Sequence, residues 1–130
     1  MKELYNLDIS EDTIKSMLEQ EPEIKEITEK EIKEKEIILE TIGCKKNQIR
    51  NIISSNPFYL TIDNKEILKL IKLLYKYNFN SLNILFDSNP YILNLEAYEI
   101  ENYINKRKKE ENIEDIIDDL EDNPYLFSEI

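Results

Sequence analysis

Four prolines stand at positions 22, 57, 90 and 124, at intervals of 35, 33 and 34 residues, and they are the only prolines in the chain of 130. Asn56, Asn89 and Asn123 precede the last three, and Glu21 precedes the first. A fixed interval of about 20–50 residues marks a repeat architecture, in which each unit leaves an apolar face that its neighbour covers. The flanking residues keep the same register. Eight, five and four residues before each proline stand Ile14, Met17 and Leu18, then Ile49, Ile52 and Ile53, then Leu82, Leu85 and Phe86. Before Pro124 the set is Ile116, Asp119 and Leu120, with one apolar place lost. Spacings of three and four residues put these side chains on one helix face. Proline biases the residue before it away from the helical region, so each Asn is an expected helix end. The triplets Phe58-Tyr59-Leu60, Tyr91-Ile92-Leu93 and Tyr125-Leu126-Phe127 then follow as expected apolar plugs. The pattern predicts an all-α fold, a short helical-repeat solenoid of helix–Pro turn–helix units with a period of 33–35 residues. Its repeats fall near 7–41, 42–76, 77–109 and a partial 110–130, all within a single domain spanning 1–130.

This arrangement resembles the mitochondrial transcription termination factor (mTERF) family. That family's repeat joins an apolar helix ending at a proline, a short turn with leucines, and a second helix ending in a Leu-Gly-Phe-like step. Here Ile42-Gly43-Cys44 and Tyr77-Asn78-Phe79 stand where that step falls. The likeness runs over roughly residues 7–127 and is best from Thr41 to Leu93. The resemblance implies a nucleic-acid-binding helical-repeat protein, and no individual functional residue is carried over from it.

One Gly and four Pro are little punctuation, and with abundant Ile, Leu, Lys and Glu they favour helix over sheet. Isoleucine is a modest helix former, so the spacing carries that reading. The sole cysteine, Cys44, excludes an intramolecular disulfide and fits a reducing compartment. Met1-Lys2-Glu3-Leu4-Tyr5 holds no apolar signal core, and no uncharged apolar run reaches membrane-spanning length. The expectation is a cytoplasmic protein with no membrane association. The chain has no histidine, which removes the commonest general base and the commonest zinc ligand. It also carries no Gly-rich phosphate loop, no nucleophile motif and no metal-ligand cluster. The reading is a non-enzyme, with no catalytic residues, no metal and no cofactor.

Net charge is −11, unevenly spread. Residues 1–40 hold 6 basic and 13 acidic side chains, residues 41–80 hold 7 and 2, and residues 81–130 hold 4 and 13. Such a total repels nucleic acid and acidic membranes over about a Debye length of ~8–10 Å. The basic middle is the exception. In it, Lys65, Lys69, Lys72 and Lys76 lie on the helix expected from about Asn64 to Tyr77. At about 100° per residue the last three fall within about 60° of one another. Ile67, Leu68, Leu70, Ile71, Leu73, Leu74, Tyr75 and Tyr77 fill the opposite side, which suits a helix packed between repeats with one narrow strip in solvent. The strip reads as four lysines without an acid, either a phosphate- or acid-binding surface or a solubility face. Lys45, Lys46 and Arg50, from the preceding helix, extend it if they face the same way. Shifted back by 35 residues the row becomes Lys30, Glu34, Ile37 and Thr41, and shifted forward by 33 it becomes Tyr98, Asn102, Asn105 and Lys109. Confinement to one repeat counts against tight tracking of a duplex.

Elsewhere the charged residues read as structural. Ser10, three residues before Thr13, is an expected N-cap. The stretch Ile24–Ile42 reads as one highly charged helix with Ile24, Ile27, Ile38, Leu39 and Ile42 on its buried face, and Gly43 as its left-handed stop. Cys44 takes the place of Ile9 and reads as a small buried apolar side chain. Lys106-Arg107-Lys108-Lys109 sits where a helix C-terminus favours positive charge. Glu111, Asp115, Asp118, Asp119 and Asp122 line one side of the last helix, opposite Ile113, Ile116, Ile117 and Leu120. A calcium loop would need alternating acids and a Gly at the turn, and this helical spacing has neither.

Three binding readings follow. The first is DNA or RNA binding, which the family resemblance implies, and the local basic surface offers Lys45, Lys46, Arg50, Lys65, Lys69, Lys72 and Lys76 for it. The second is a protein-interaction or scaffold module, as a solenoid face affords. The third is an acidic inhibitor that imitates nucleic acid with its Glu111–Asp122 face. A monomer and a dimer formed through the C-terminal repeat both fit the sequence.

Overall fold

The structure is a computed structural model that describes all residues, Met1–Ile130. It is all-helical. Eight α-helices occur in order: α1 Lys2–Asn6, α2 Glu11–Gln20, α3 Glu29–Thr41, α4 Lys46–Ser55, α5 Asn64–Lys76, α6 Leu82–Ser88, α7 Ala97–Arg107 and α8 Ile113–Asp122. After α2, α4, α6 and α8 comes a 3₁₀ turn opened by a proline: Pro22–Glu26, Pro57–Thr61, Pro90–Asn94 and Pro124–Glu129. Proline suits that place because its missing N–H would be unpaired there and its φ is already set. Each residue ahead of it is extended, with Asn56 at φ −130°, ψ 77° and Asn89 at φ −143°, ψ 85°. The repeat is therefore helix, proline 3₁₀ turn, helix.

The chain forms two compact units, Met1–Ile62 and Asp63–Ile130. In the first, the core gathers Leu4, Met17, Ile24, Ile32, Leu39, Ile52, Ile53, Tyr59 and Leu60. In the second, Ile67, Leu70, Leu74, Phe86, Ile92, Ile100, Ile104, Ile116, Leu120 and Phe127 do the same. Within each unit the proline turns stack on one another, and the residue before proline ties them. Glu21 accepts a hydrogen bond from Thr61 Oγ1 (3.1 Å). Asn89 Nδ2 donates to Pro124 O (3.0 Å) and to Ser128 Oγ (3.2 Å). Thr61 and Ser128 hold the same place, four residues after their prolines. A covered or half-covered polar side chain before proline is thus satisfied by the next turn.

Three helix ends share a device. The residue after the C-cap is left-handed at Asp8 (φ 64°), Gly43 (φ 95°) and Asn78 (φ 65°). In each case the two following bonds close a Schellman motif: Asp8 N–H to Tyr5 O and Ile9 N–H to Leu4 O, Gly43 to Glu40 and Cys44 to Leu39, Asn78 to Tyr75 and Phe79 to Leu74. The three lie 35 residues apart. Their apolar followers, Ile9, Cys44 and Phe79, are all buried, as the motif's hydrophobic contact requires. Gly43 is the stop expected of it, and Cys44 is the buried small side chain expected of it. The step at Leu7-Asp8-Ile9 is a third copy that the sequence reading passed over.

Several expectations change. The charged stretch 24–42 is not one helix: Ile24 belongs to the Pro22–Glu26 turn, and α3 starts at Glu29 behind a Thr28–Glu31 capping box. Thr28 Oγ1 accepts from Glu31 N–H (3.1 Å) while Glu31 Oε1 accepts from Thr28 N–H (3.2 Å), so both otherwise unpaired donors are met. Only part of each apolar triplet plugs the core. Phe58, Tyr91 and Tyr125 are exposed, because the residue after proline lies on the outer side of the 3₁₀ turn. On α5, Leu68 and Tyr75 are about half exposed, so the buried arc is narrower than the composition suggested, covering Ile67, Leu70, Ile71 and Leu74. Ser10 caps α2 as expected, accepting from Thr13 N–H (3.2 Å).

Candidate nucleic-acid interface

α5 owes its position to Asp63, whose side chain accepts from Lys65 N–H (2.9 Å) at the helix start, and to the Asn78 stop at its end. Between them the buried arc fixes the helix rotation, and Lys65, Lys69, Lys72 and Lys76 emerge together on the solvent side, all exposed. The strip is not free of acid. Lys69 Nζ lies 3.3 Å from Glu66 Oε1 on the same helix, and Lys76 Nζ lies 3.8 Å from Glu101 on α7. Lys76 also stands 5.8 Å from the Tyr77 ring centre. Burial is the main cause that raises the Tyr77 phenol above its ordinary range, followed by the charge of Glu101. Lys65 and Lys72 make no ion pair. Exposed pairs of this kind contribute about 0–1 kcal/mol, so these carboxylates hold the lysines only weakly.

Lys45, Lys46 and Arg50 belong to the other compact unit. Lys45 is the N-cap of α4, its N–H donating to Gln48 Oε1 (2.9 Å). Lys46 forms an exposed ion pair with Asp8 (3.1 Å), and Arg50 is half-buried on α4. The structure thus brings together the four lysines of α5 and assigns the other three basic residues to the first unit.

α7 packs beside α5. At the register of the lysine strip stand Tyr98, Asn102 and Asn105 on α7 and Lys109 just beyond its end, and all four are exposed. An open cavity of about 590 Å³ lies between α7 and the C-terminal turn, lined in part by Asn102, Asn105, Lys106, Lys109 and Glu129 and by no residue of α5. The basic row ends on α5, as the register shift indicates, and α7 carries amides in its place.

Arg107 has a different task from its neighbours Lys106, Lys108 and Lys109. Its side chain is largely covered; Nε and Nη2 each donate to Glu111 (both 2.8 Å), Nη2 also to Asp119 (2.9 Å), and Nη1 to Tyr103 Oη (3.0 Å). The guanidinium lies 5.5 Å from the Tyr103 ring centre. This bidentate fork clips α7 to α8, and it holds the Glu111 carboxyl below its ordinary range. Glu111 precedes α8 rather than lying on it, and Glu111 and Asp119 are both committed to Arg107. Of the acidic face read from the sequence, Asp115, Asp118 and Asp122 remain exposed and outside that clip. Arg107→Ala is expected to destabilise the second unit by about 1–2 kcal/mol, and Arg107→Lys to recover only part of it, since an ammonium cannot fork. Urea denaturation followed by circular dichroism measures both.

Proline-punctuated helix pairs, stacked turns and recurrent Schellman ends define a helical-repeat protein. The mTERF family model matches residues 1–110, and the chain belongs to that family. No curated protein and no solved structure matches it. No helix is long and apolar enough to cross a membrane.

Proposed function

We propose that this protein is a non-catalytic nucleic-acid-binding repeat protein whose phosphate contacts are made by Lys65, Lys69, Lys72 and Lys76. The observation that carries this reading is four exposed lysines on one face of α5 in a member of the mTERF family. Lysine is a point-charge partner for phosphate, and a row one helical turn apart follows a strand's backbone without reading its sequence. A strongly acidic chain needs such a local field to hold a polyanion at all. Asn102 and Asn105 on α7, and Lys109 just beyond its end, add exposed polar groups at the same register of the next repeat.

Fluorescence anisotropy with duplex DNA, single-stranded DNA and RNA over a salt series tests it. Affinity is expected to fall steeply with salt, by roughly 0.7–0.9 log units per log unit of salt for each phosphate neutralised. Changing all four lysines to Glu is expected to abolish binding. Retained binding in that variant with unchanged circular dichroism would move the contact elsewhere.

A second reading, protein binding, is favoured by the exposed rings of Tyr91, Tyr98 and Tyr125 in the second unit. It is the reading that remains if no nucleic acid binds even at low salt.

A further inference from the structure

In the first unit, α1 packs on α3 across a seam that buries a carboxyl group. Glu36, on α3, is 4% exposed, and its Oε2 has no hydrogen-bond partner. Glu3 on α1 lines a cavity with it, its carboxyl placed to bond that of Glu36. Two carboxyl groups form such a bond only when a proton lies between them, because neither oxygen is otherwise a donor. The repeat makes this pair anomalous. At the corresponding places of α7 and α5 stand Ile104 and Leu73, so an aliphatic contact occupies the register where α3 and α1 carry acids.

The rest of the seam holds α1 by a tether at one end and by apolar contacts. At the other end of α3, the Glu29 carboxylate accepts from Lys2 N–H (3.1 Å) and Glu3 N–H (2.8 Å) and pairs with the Met1 ammonium (2.6 Å). These contacts tether the first turn of α1 but leave its inner face to Leu4, Leu7 and the acid pair. Beneath the seam lies a cavity of about 460 Å³, bounded by α1, α3 and the start of α4. The charged and titratable groups on it are Glu3 from α1, Lys33, Glu36 and Glu40 from α3, and Cys44 and Lys46 ahead of and on α4. Lys46 is engaged by Asp8, which leaves Lys33 as the one cation set against three carboxyls.

We propose that α1 is a proton-controlled latch: the proton shared by Glu3 and Glu36 keeps α1 docked on α3, and its loss releases α1 and opens the cavity that covers Cys44. With both carboxyls charged, a buried oxygen without a partner would face a second carboxylate across the seam. Release of a five-residue helix relieves that repulsion by returning Glu36 to water.

The direction of the response is set by the surroundings of Glu36. Burial pushes its carboxyl up to about 7 from 4.5, helped by the hydrogen bond to Glu3 and by the Glu3 and Glu40 charges, and opposed by Lys33. A group raised in the docked state stabilises docking fully below about 4.5, and that contribution is lost as pH climbs through about 7. Glu29 acts in the opposite sense. Its carboxyl is held low by the Met1 ammonium and the Glu3 N–H, so its tether is lost only in stronger acid. Docking is therefore tightest in mildly acidic solution.

Cys44, the sole cysteine and 7% exposed, reports the opening. The full chain is labelled with a pyridyl disulfide from pH 4.5 to 8, each rate divided by that of the urea-unfolded chain at the same pH to remove the thiol's own titration. The normalised rate is expected to rise by at least about tenfold across the window and then level off. Glu36→Gln, whose amide donates to Glu3 at every pH, is expected to stay at the low-pH rate throughout. Glu3→Gln supplies the donor from the α1 side and is expected to flatten the profile in the same way, which keeps the test intact should Glu36→Gln fail to fold. A flat wild-type profile overturns the latch, and so does a variant profile that climbs with the wild type.

Discussion

Tyr59→Ala is expected to destabilise the Met1–Ile62 unit by about 3–5 kcal/mol, enough to unfold a unit of this size near neutral pH. Tyr59 is fully buried in the Pro57–Thr61 turn, and its ring fills the space between that turn, α2 and α3. Its hydroxyl donates to Lys35 O (2.7 Å), a contact between residues 24 apart in sequence. Burial holds the phenol far above its ordinary range, with the Cys44 charge adding to it, so the group remains a donor at any ordinary pH. Truncation therefore removes an aromatic volume and also strands a buried carbonyl. Tyr59→Phe separates the two: it keeps the ring and is expected to cost only about 1–2 kcal/mol. Urea denaturation monitored by far-ultraviolet circular dichroism checks both, and equal losses in the two variants would show that the hydroxyl dominates instead.

The position of Tyr59 also marks where the sequence was legible and where it was not. Proline spacing gave the repeat because proline imposes the same backbone solution wherever it occurs, and the apolar residues before it had to share a helix face. Gly43 was readable for a similar reason: a left-handed stop is easiest for glycine, so the residue advertises the geometry. Asp8 does the same job with a residue that has many other uses, and Leu7-Asp8-Ile9 went unread. Direction was harder than existence. Phe58-Tyr59-Leu60 looks like a uniform plug, yet Phe58 is turned outward while Tyr59 and Leu60 are buried, since a 3₁₀ turn cannot point three consecutive side chains at one core. The start of α3 was misplaced although its signal was present, Thr28 followed three residues later by Glu31.

The candidate site was legible as a row on α5 because i, i+4 and i+7 spacing places lysines together in any helix. Its acid partners were less so. Glu66 lies at the edge of the same face, and Glu101 comes from α7, a neighbour fixed only by the packing of repeats. Arg107 was hidden for the opposite reason. Four consecutive basic residues look alike in sequence, and only the approach of Glu111, Asp119 and Tyr103 makes one of them structural.

The charge run of α3 conceals the largest pH effect expected of the molecule. Read from the sequence as part of one highly charged helix, it includes Glu36, which the fold buries. Between pH 4.5 and about 7 the Met1–Ile62 unit is expected to lose about 1–2 kcal/mol, the raised carboxyl of Glu36 discounted for solvent reaching its neighbour Glu3. Glu36→Leu should remove that slope, because leucine approximates the Ile71 and Ile104 that the repeat places at the same position on α5 and α7. At pH 8 the variant is expected to exceed the wild type in stability by about 1–2 kcal/mol, and at pH 4.5 to fall level with it or slightly below, having lost the bond to Glu3. A general rise in repulsion among the chain's many carboxylates would also weaken the protein as pH climbs, but it acts on both proteins alike. The difference between them, measured by urea denaturation at pH 4.5, 6 and 8, isolates Glu36. A constant difference across that range would mean that the carboxyl ionises in the docked seam without penalty, which its burial beside Glu3 argues against.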